Sequence, residues 1–335
     1  MSRPRVLVTG TGLLGVGEGL IHCLEEVADS YQIYAANTDE SATAIYTCEQ
    51  GYILPAAPDP NYSQVVFDLC RNQRIDFLIP GSEPELSKLA SCQEKFSSIG
   101  CSLLANLPDV IAIGDDKIAT YDFLSEKKLP TPQSEREVSL QSAEKLGWPV
   151  ILKPRMGCGA KHVYKIKDEK EFEIVKSWAN HLGVEAFLQE FVGSMDEEFT
   201  ASSLSDLNGL FIGSFAARRT LAGGATATVE VNEYPEVHRL ARQVAEALGA
   251  RGPINIQARV HNGQLTVFEI NPRFSGSAPF RAKCGFNEPH LLMQSIIHGA
   301  PVSFDPPQKN VFGVRSFKET LFQQNRKKKL VRLKH

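Results

Sequence analysis

The chain has 335 residues, 42% hydrophobic and 22% charged, with a formal net charge of -3 and a pI near 6.3. That composition is globular and leaves room for more than one core, and it excludes the overall basic field of a nucleic-acid binder. The seven cysteines are odd in number, scattered and without a CxxC pair, as in a reduced cytoplasmic protein, and no apolar run reads as a signal-peptide core or a membrane span.

Residues 5–9 read as a short apolar strand, 10–15 as a glycine-rich turn, and the periodicity around Leu20, Ile21 and Leu24 as a helix. A strand over 31–36, a helix over 62–71 and a strand over 75–80 follow, the last opening into Gly81-Ser82-Glu83-Pro84-Glu85. Alternation of this kind predicts an α/β domain on a parallel sheet, with ligands at the carboxyl ends of its strands. Asp115-Asp116-Lys117 then opens a helix and Pro130-Thr131-Pro132 breaks the chain, which marks a boundary near 115. A hairpin over 150–166, a helix over 169–179 and a strand over 186–192 make a small α+β unit. Longer strands over 199–204, 209–217, 226–231, 254–260 and 265–271 predict a larger antiparallel sheet, covered by helices over 234–248 and 288–298. The expected domains are 1–114, 115–192 and 193–310, with 311–335 a C-terminal extension ending in a solvated basic tail.

Gly10-Thr11-Gly12-Leu13-Leu14-Gly15, with Asp39 beyond the next strand, matches a dinucleotide fingerprint, although a tight strand-to-helix turn needs glycine in any case. An NAD(P)-dependent oxidoreductase is therefore the alternative class, and it explains none of the residues after Lys153. Lys153 shares a strand face with Ile151 ahead of the glycine turn 157–162, where an ammonium beside backbone N–H groups suits a polyphosphate. An edge-strand lysine at an ordinary hairpin gives the same letters. Gln189-Glu190-Phe191-Val192 can offer a carbonyl and an N–H to an adenine edge, with a carboxylate of Glu197-Glu198 for ribose hydroxyls; a solvated acidic loop is the plain alternative.

Glu269, Asn271 and Arg273 alternate along one strand and share a face, while Phe268 and Ile270 point into a core. Two hard oxygen ligands beside a cation suit a magnesium ion completed by phosphate and water. The partner strand over 254–260 is joined through His261-Asn262-Gly263. A two-residue turn pairs Gln257 with Phe268 and turns it away; a three-residue loop ending in a left-handed Gly263 pairs Asn255 with Glu269 and keeps Gln257 on the shared face, so the three-residue loop is predicted. Arg218-Arg219 beside the glycine loop 221–226 suit a carboxylate or an acyl phosphate. Glu83 suits an α-ammonium, although a helix N-cap with an acidic first turn accounts for it as well, and Ser275-Gly276 belong to a run expected to line the reacting cleft.

In order and separation these segments resemble the ATP-grasp superfamily from about residue 5 to 305: Lys117, Lys153, Glu190, Val192, Glu198 of Glu-Phe-Thr, Gln257, Glu269 and Asn271 fall on its motif positions. Asn255-Ile256-Gln257 and the run Glu-Ile-Asn-Pro-Arg-Phe-Ser-Gly-Ser from Glu269 are most similar to carbamoyl-phosphate-synthetase-type members and to amino-acid ligases like the pyrrolysine-pathway ligase. A full carbamoyl-phosphate synthetase needs two such halves, which the length excludes. The resemblance implies a pre-ATP-grasp domain, a small lid and a larger metal-bearing subdomain, with ATP between the last two. Lys117 and Lys153 would hold its phosphates, the Glu190 carbonyl and Val192 N–H its adenine, and Glu198 its ribose. Gln257, Glu269 and Asn271 would bind one or two Mg2+, with Mn2+ an allowed substitute. Ala160 and His162 replace the serine and glycine usual in the lid loop, which implies a stiffer loop or His162 on a phosphate. The implied reaction joins a carboxylate, activated as an acyl phosphate, to an amine, with Lys153 and Arg273 neutralising the transferred phosphoryl. Its partners are small molecules, amino acids above all, with no nucleic acid or membrane and a homodimer allowed; the base for the amine is unassigned. A regulatory nucleotide binder with a decayed site is the third class, opposed by the intact Lys153, Glu269, Asn271 and Arg273.

Overall fold

Short aliphatic runs, each followed by an amphipathic helix, build a parallel sheet at the N-terminal end of the computed structural model, which describes residues 3–322 apart from Cys158, Ala160, Met195 and Asp196, and the backbone of Leu330–Arg332. The strand order is Leu330–Arg332, Gln50–Ile53, Gln32–Asn37, Arg5–Val8, Phe77–Ile79, Ser102–Leu103, parallel throughout. Val6 and Val8 face one core with Leu20 and Leu24 of the helix Val16–Glu25, and Leu7 faces the other with Val66 and Leu69 of the helix Tyr62–Gln73. The order reverses at Arg5–Val8, so the turns after it and after Phe77–Ile79 meet at a switch point, where such sheets open a crevice.

Close packing accounts for two of the glycines there. A Cβ on Gly81 would lie 2.1 Å from the Thr9 carbonyl oxygen, and one on Gly17 2.4 Å from that of Gly10. At Gly12 the nearest atom, Asn37 Oδ1, is 3.6 Å away, so no contact of the protein itself requires glycine at that position. Asp39, the ribose carboxylate of the dinucleotide reading, accepts from the Ser41 N–H at 2.7 Å.

The lid is an antiparallel sheet in the order Ser134–Glu135, Ala186–Glu190, Val150–Pro154, Tyr164–Ile166, around a core of Val150, Leu152, Ile166, Phe172 and Leu188. The larger sheet, also antiparallel, runs Gln264–Asn271, Pro253–His261, Glu198–Ser205, Phe211–Ala222, Ala225–Val231, Val311–Val314. Two segments pack across the expected boundaries. The helices Pro108–Asp115 and Lys117–Glu126 bury Val110 and Leu124 with Ala201, Ile256 and Ile270, so the second helix belongs to the large sheet and not to a lid starting at 115. Nor is 311–335 a separate extension, since Val311–Val314 edges the large sheet and Leu330–Arg332 the first one. The other basic residues of the tail, 326–329 and 334, lie outside the described residues.

The hairpin carrying Glu269 also differs from expectation. His261 lies opposite Gln264, and Asn262 and Gly263, with φ of 49° and 77°, make a two-residue turn. Continued regularly, that ladder would turn Gln257 away. A β-bulge intervenes: Ala258 faces Val267 but Gln257 faces Glu269, leaving Phe268 as the extra residue. Gln257 thus reaches the face of Glu269 by a bulge within the strand, and Asn255 lies opposite Asn271. Phe268 does not enter the core; it stands on the wall of the central cavity with the Arg259 guanidinium 4.9 Å from its ring centre.

If the glycines serve packing, Gly81→Ala will lower stability by about 2 kcal/mol or more in a thermal melt, in the range of overpacked cores, while Gly12→Ala will stay within about 0.5 kcal/mol of the parent. Equal losses at both positions would contradict that account.

Candidate active site

The switch point, the lid and the large sheet enclose a cavity of about 760 Å³. Lys153 projects into it from the lid strand, only 6% exposed, and its Nζ donates to the Phe268 carbonyl at 3.2 Å, with the Phe187 ring centre 5.3 Å away. The bulge that turns Glu269 inward therefore also supplies the acceptor that holds the lysine. Burial pushes the ammonium down to about 7; Glu269 works against this, and Lys117 and Arg259 add to it.

Across from Lys153, Asn271 Nδ2 donates to Glu269 Oε1 at 3.1 Å, Arg273 donates to Asn271 Oδ1 at 3.2 Å, and Gln257 lies opposite Glu269. All four line the cavity. One carboxylate and two amide oxygens are hard ligands but an incomplete set, and no group of three His, Cys, Asp or Glu residues able to hold a metal occurs among the described residues. That donor set fits a magnesium ion completed by phosphate oxygens and water rather than a fully protein-caged metal.

Several predicted residues have partners that alter their roles. Arg273 is bonded through Nε, at 2.8 Å, and NH2 to Glu83, 190 positions away, so Glu83 steadies the arginine and is not free for an ammonium. Glu198 is buried between Arg219, at 2.6 Å, and Arg259, at 2.7 Å, with one oxygen on each. Its carboxylate thus lines the cavity with an arginine on each oxygen. Consecutive strand residues face opposite ways: Arg219 lines the cavity, whereas Arg218 pairs with Glu230 on the other side and is not on the wall. His162 is likewise absent from the wall, where Lys161 stands.

The remaining positions come together. Lys117 lines the cavity and donates to the Gly157 carbonyl at 2.5 Å, its helix capped by the Asp116 carboxylate. Glu190 ends the lid strand with its carboxylate 3.1 Å from His261, and the Val192 N–H has no partner among the described residues. Ser275 and Gly276 line the opposite side, where the Gly276 carbonyl accepts from Arg315 at 2.6 Å.

Arg259, Lys161, Lys165 and Arg315 also face the cavity and are new to the site. Lys165 alternates with Tyr164 and Ile166 on the returning lid strand, and Lys161 belongs to the turn already identified, so periodicity carried a signal for both. Arg259 was legible only once the strand face was known. Arg315 follows the edge strand Val311–Val314, which lacks a distinctive pattern, and nothing local to it announces the cavity.

Two family models match the chain: an ATP-grasp domain over residues 114–277 and a PylC-like N-terminal domain over 6–104. The carbamoyl phosphate synthase large chain of Thermomicrobium roseum is 25% identical over 315 residues, covering 84% of this chain and 28% of the relative, and that of Methanocorpusculum labreanum is 24% identical over 84% and 29%. The chain thus spans little more than a quarter of these curated relatives. Among solved structures, the biotin carboxylase domain of the Hydrogenobacter thermophilus 2-oxoglutarate carboxylase, in complex with MgADP, ADP and bicarbonate, superposes with a TM-score of 0.69 at 16% identity, covering 93% of this chain and 74% of that one. The L-amino acid ligase of Bacillus licheniformis superposes with a TM-score of 0.66 at 17% identity, covering 88% and 74%. A parallel-sheet domain leads into an antiparallel two-part fold, and the chain carries a PylC-like N-terminal domain followed by an ATP-grasp domain.

Proposed function

We propose that this protein is an ATP-dependent carboxylate-amine ligase that activates an amino-acid-like acid as an acyl phosphate and releases ADP and phosphate. The observation that carries this reading is the buried Lys153, held on the Phe268 carbonyl across from Glu269 and Asn271. A desolvated ammonium opposite hard oxygen ligands, with Lys117 and Lys161 on the same wall, is suited to a polyphosphate and leaves a nicotinamide without a role.

Lys153 and Lys117 would neutralise the phosphates, the Val192 N–H would meet the base edge, and Glu269, Asn271 and Gln257 would hold magnesium. The ion, when bound, supplies charge neutralisation between phosphate oxygens. Arg273, oriented by Glu83 and Asn271, would attract the substrate carboxylate and later the acyl phosphate beside Ser275 and Gly276. Attack of the carboxylate oxygen on the γ-phosphorus breaks the bond to the ADP oxygen; the amine then displaces phosphate from the acyl carbon and loses its proton. Most of the acceleration would come from positioning and preorganised charge.

Incubation with ATP, Mg2+ and pools of amino acids will release ADP and phosphate, and Glu269→Gln will lower kcat at least about 100-fold, the scale of a lost charge-stabilising contact, with the circular dichroism spectrum retained. AMP release, or full activity in Glu269→Gln, would contradict the reading.

The lysine gives a second test. Burial holds its pKa in the folded protein down to about 7, below the ordinary 10.5, so between those values the unfolded chain binds more protons and stability from this group rises with pH. A bound polyphosphate favours the charged lysine and reverses the shift. At pH 8, binding of a non-hydrolysable ATP analogue with Mg2+ will take up a proton, read by calorimetry in buffers of different ionisation heat, and Lys153→Met will abolish the uptake. Binding with the same proton count in parent and variant would remove Lys153 from the phosphates.

A further inference from the structure

Among the described residues five carboxylates line the cavity, and their partners differ. Glu83 is bonded to Arg273, Glu198 to Arg219 and Arg259, Glu190 to His261, and Glu269 lies in the face assigned to magnesium. Glu85 is the exception. It is 4% exposed, yet it reaches the cavity at the switch-point end, and among the described residues no cation pairs with it. Its carboxylate accepts from the Tyr62 hydroxyl on Oε1 at 2.9 Å and from the Ser82 hydroxyl on Oε2 at 2.8 Å. Burial pushes the group above the usual carboxylate range, and the neutral donors Ser82, Tyr62, Thr9 and the Gly81 backbone only partly oppose it.

A buried charge without a counter-ion is costly, and a helix cap does not account for this one. Ser82 precedes the helix Glu83–Ala90 but makes no capping bond to it; its hydroxyl turns to Glu85 instead. On the far side stands Gly10, where a Cβ would come within 2.3 Å of Oε2, so a side chain is missing from the turn just where it would cover the carboxylate. Gly81 and Ser82 of the neighbouring turn stand beside it on the same wall.

We propose that Glu85 is the receptor for the ammonium group of the amino-acid substrate, bound at the switch-point end of the cavity; this rests on the ligase reading. A primary ammonium supplies the missing charge. A divalent cation does not, because no second carboxylate joins Glu85 in a metal-holding group among the described residues. The site selects against acids that lack the nitrogen, since these would leave a buried carboxylate unpaired.

The test uses the full chain and two readouts. Thermal shift is measured with ADP and Mg2+ for the twenty common amino acids in both L and D forms and for their des-amino counterparts, on the parent, Glu85→Gln and Tyr62→Phe; ADP release is followed in parallel with ATP. The expected result is that at least one amino acid stabilises the parent, that its des-amino counterpart binds at least about tenfold more weakly, and that Glu85→Gln erases this preference while Tyr62→Phe reduces it. Should Glu85→Gln fail to fold, Tyr62→Phe carries the comparison. Preference for the nitrogen retained in the variant that folds, or no preference in the parent, overturns the proposal. Selective binding without ADP or phosphate release from any acid overturns the ligase reading alone.

Discussion

The contact between Lys153 Nζ and the Phe268 carbonyl ties the lid to the large sheet, and the arrangement of the cavity follows from it. A bulge leaves its extra residue out of the regular ladder, so the Phe268 peptide is available to a side chain from outside the sheet. The same extra residue restores the alternation that puts Glu269 and Asn271 on the face of Gln257 and Asn255. One inserted position thus supplies the lysine's acceptor and aims the acidic and amide groups at it. Without the bulge, the Asn262-Gly263 turn would set a register that points Gln257 away from the cavity.

Charge in the cavity is organised in two layers. Against the large sheet, Glu198 is shared by two arginines, and behind it the fully buried Arg281 is bonded to Glu288, Thr200 and Asn255, which fixes the amide opposite Asn271. Such buried pairs contribute little net stability, but loss of one partner costs about 3–5 kcal/mol, so they hold the strand faces in place. On the other side, Lys117, Lys153, Lys161 and Lys165 line the cavity, with no carboxylate salt-bridged to them among the described residues. An overall acidic chain therefore carries a locally cationic cleft suited to a polyanion.

Much of this was legible in the sequence, because strand alternation reports faces. The parallel domain, the lid hairpin, the large sheet and the cavity positions of Lys153, Glu269, Asn271 and Arg273 follow from periods and turns. What escaped has physical causes. A bulge leaves no mark in composition, so the register of Gln257 was traced to the wrong loop. Pairings across long sequence separations, such as Glu83 with Arg273 or Glu198 with Arg219, depend on how domains close and cannot be read from local pattern. Arg218 and Arg219 look alike as neighbours and diverge only when the strand decides which enters the cavity. The short strands Val311–Val314 and Leu330–Arg332 gain their place from edges they complete rather than from their own residues.

The central claim, that this cleft transfers the γ-phosphoryl of ATP to a carboxylate, is tested most directly by isotope transfer. The acid substrate is supplied with 18O in its carboxylate, and the phosphate released during turnover is analysed by mass spectrometry. One 18O atom per phosphate is predicted, carried over as the bridging oxygen when the amine displaces phosphate from the acyl carbon. Phosphate free of the label, with amide formed at the same rate, would contradict the account.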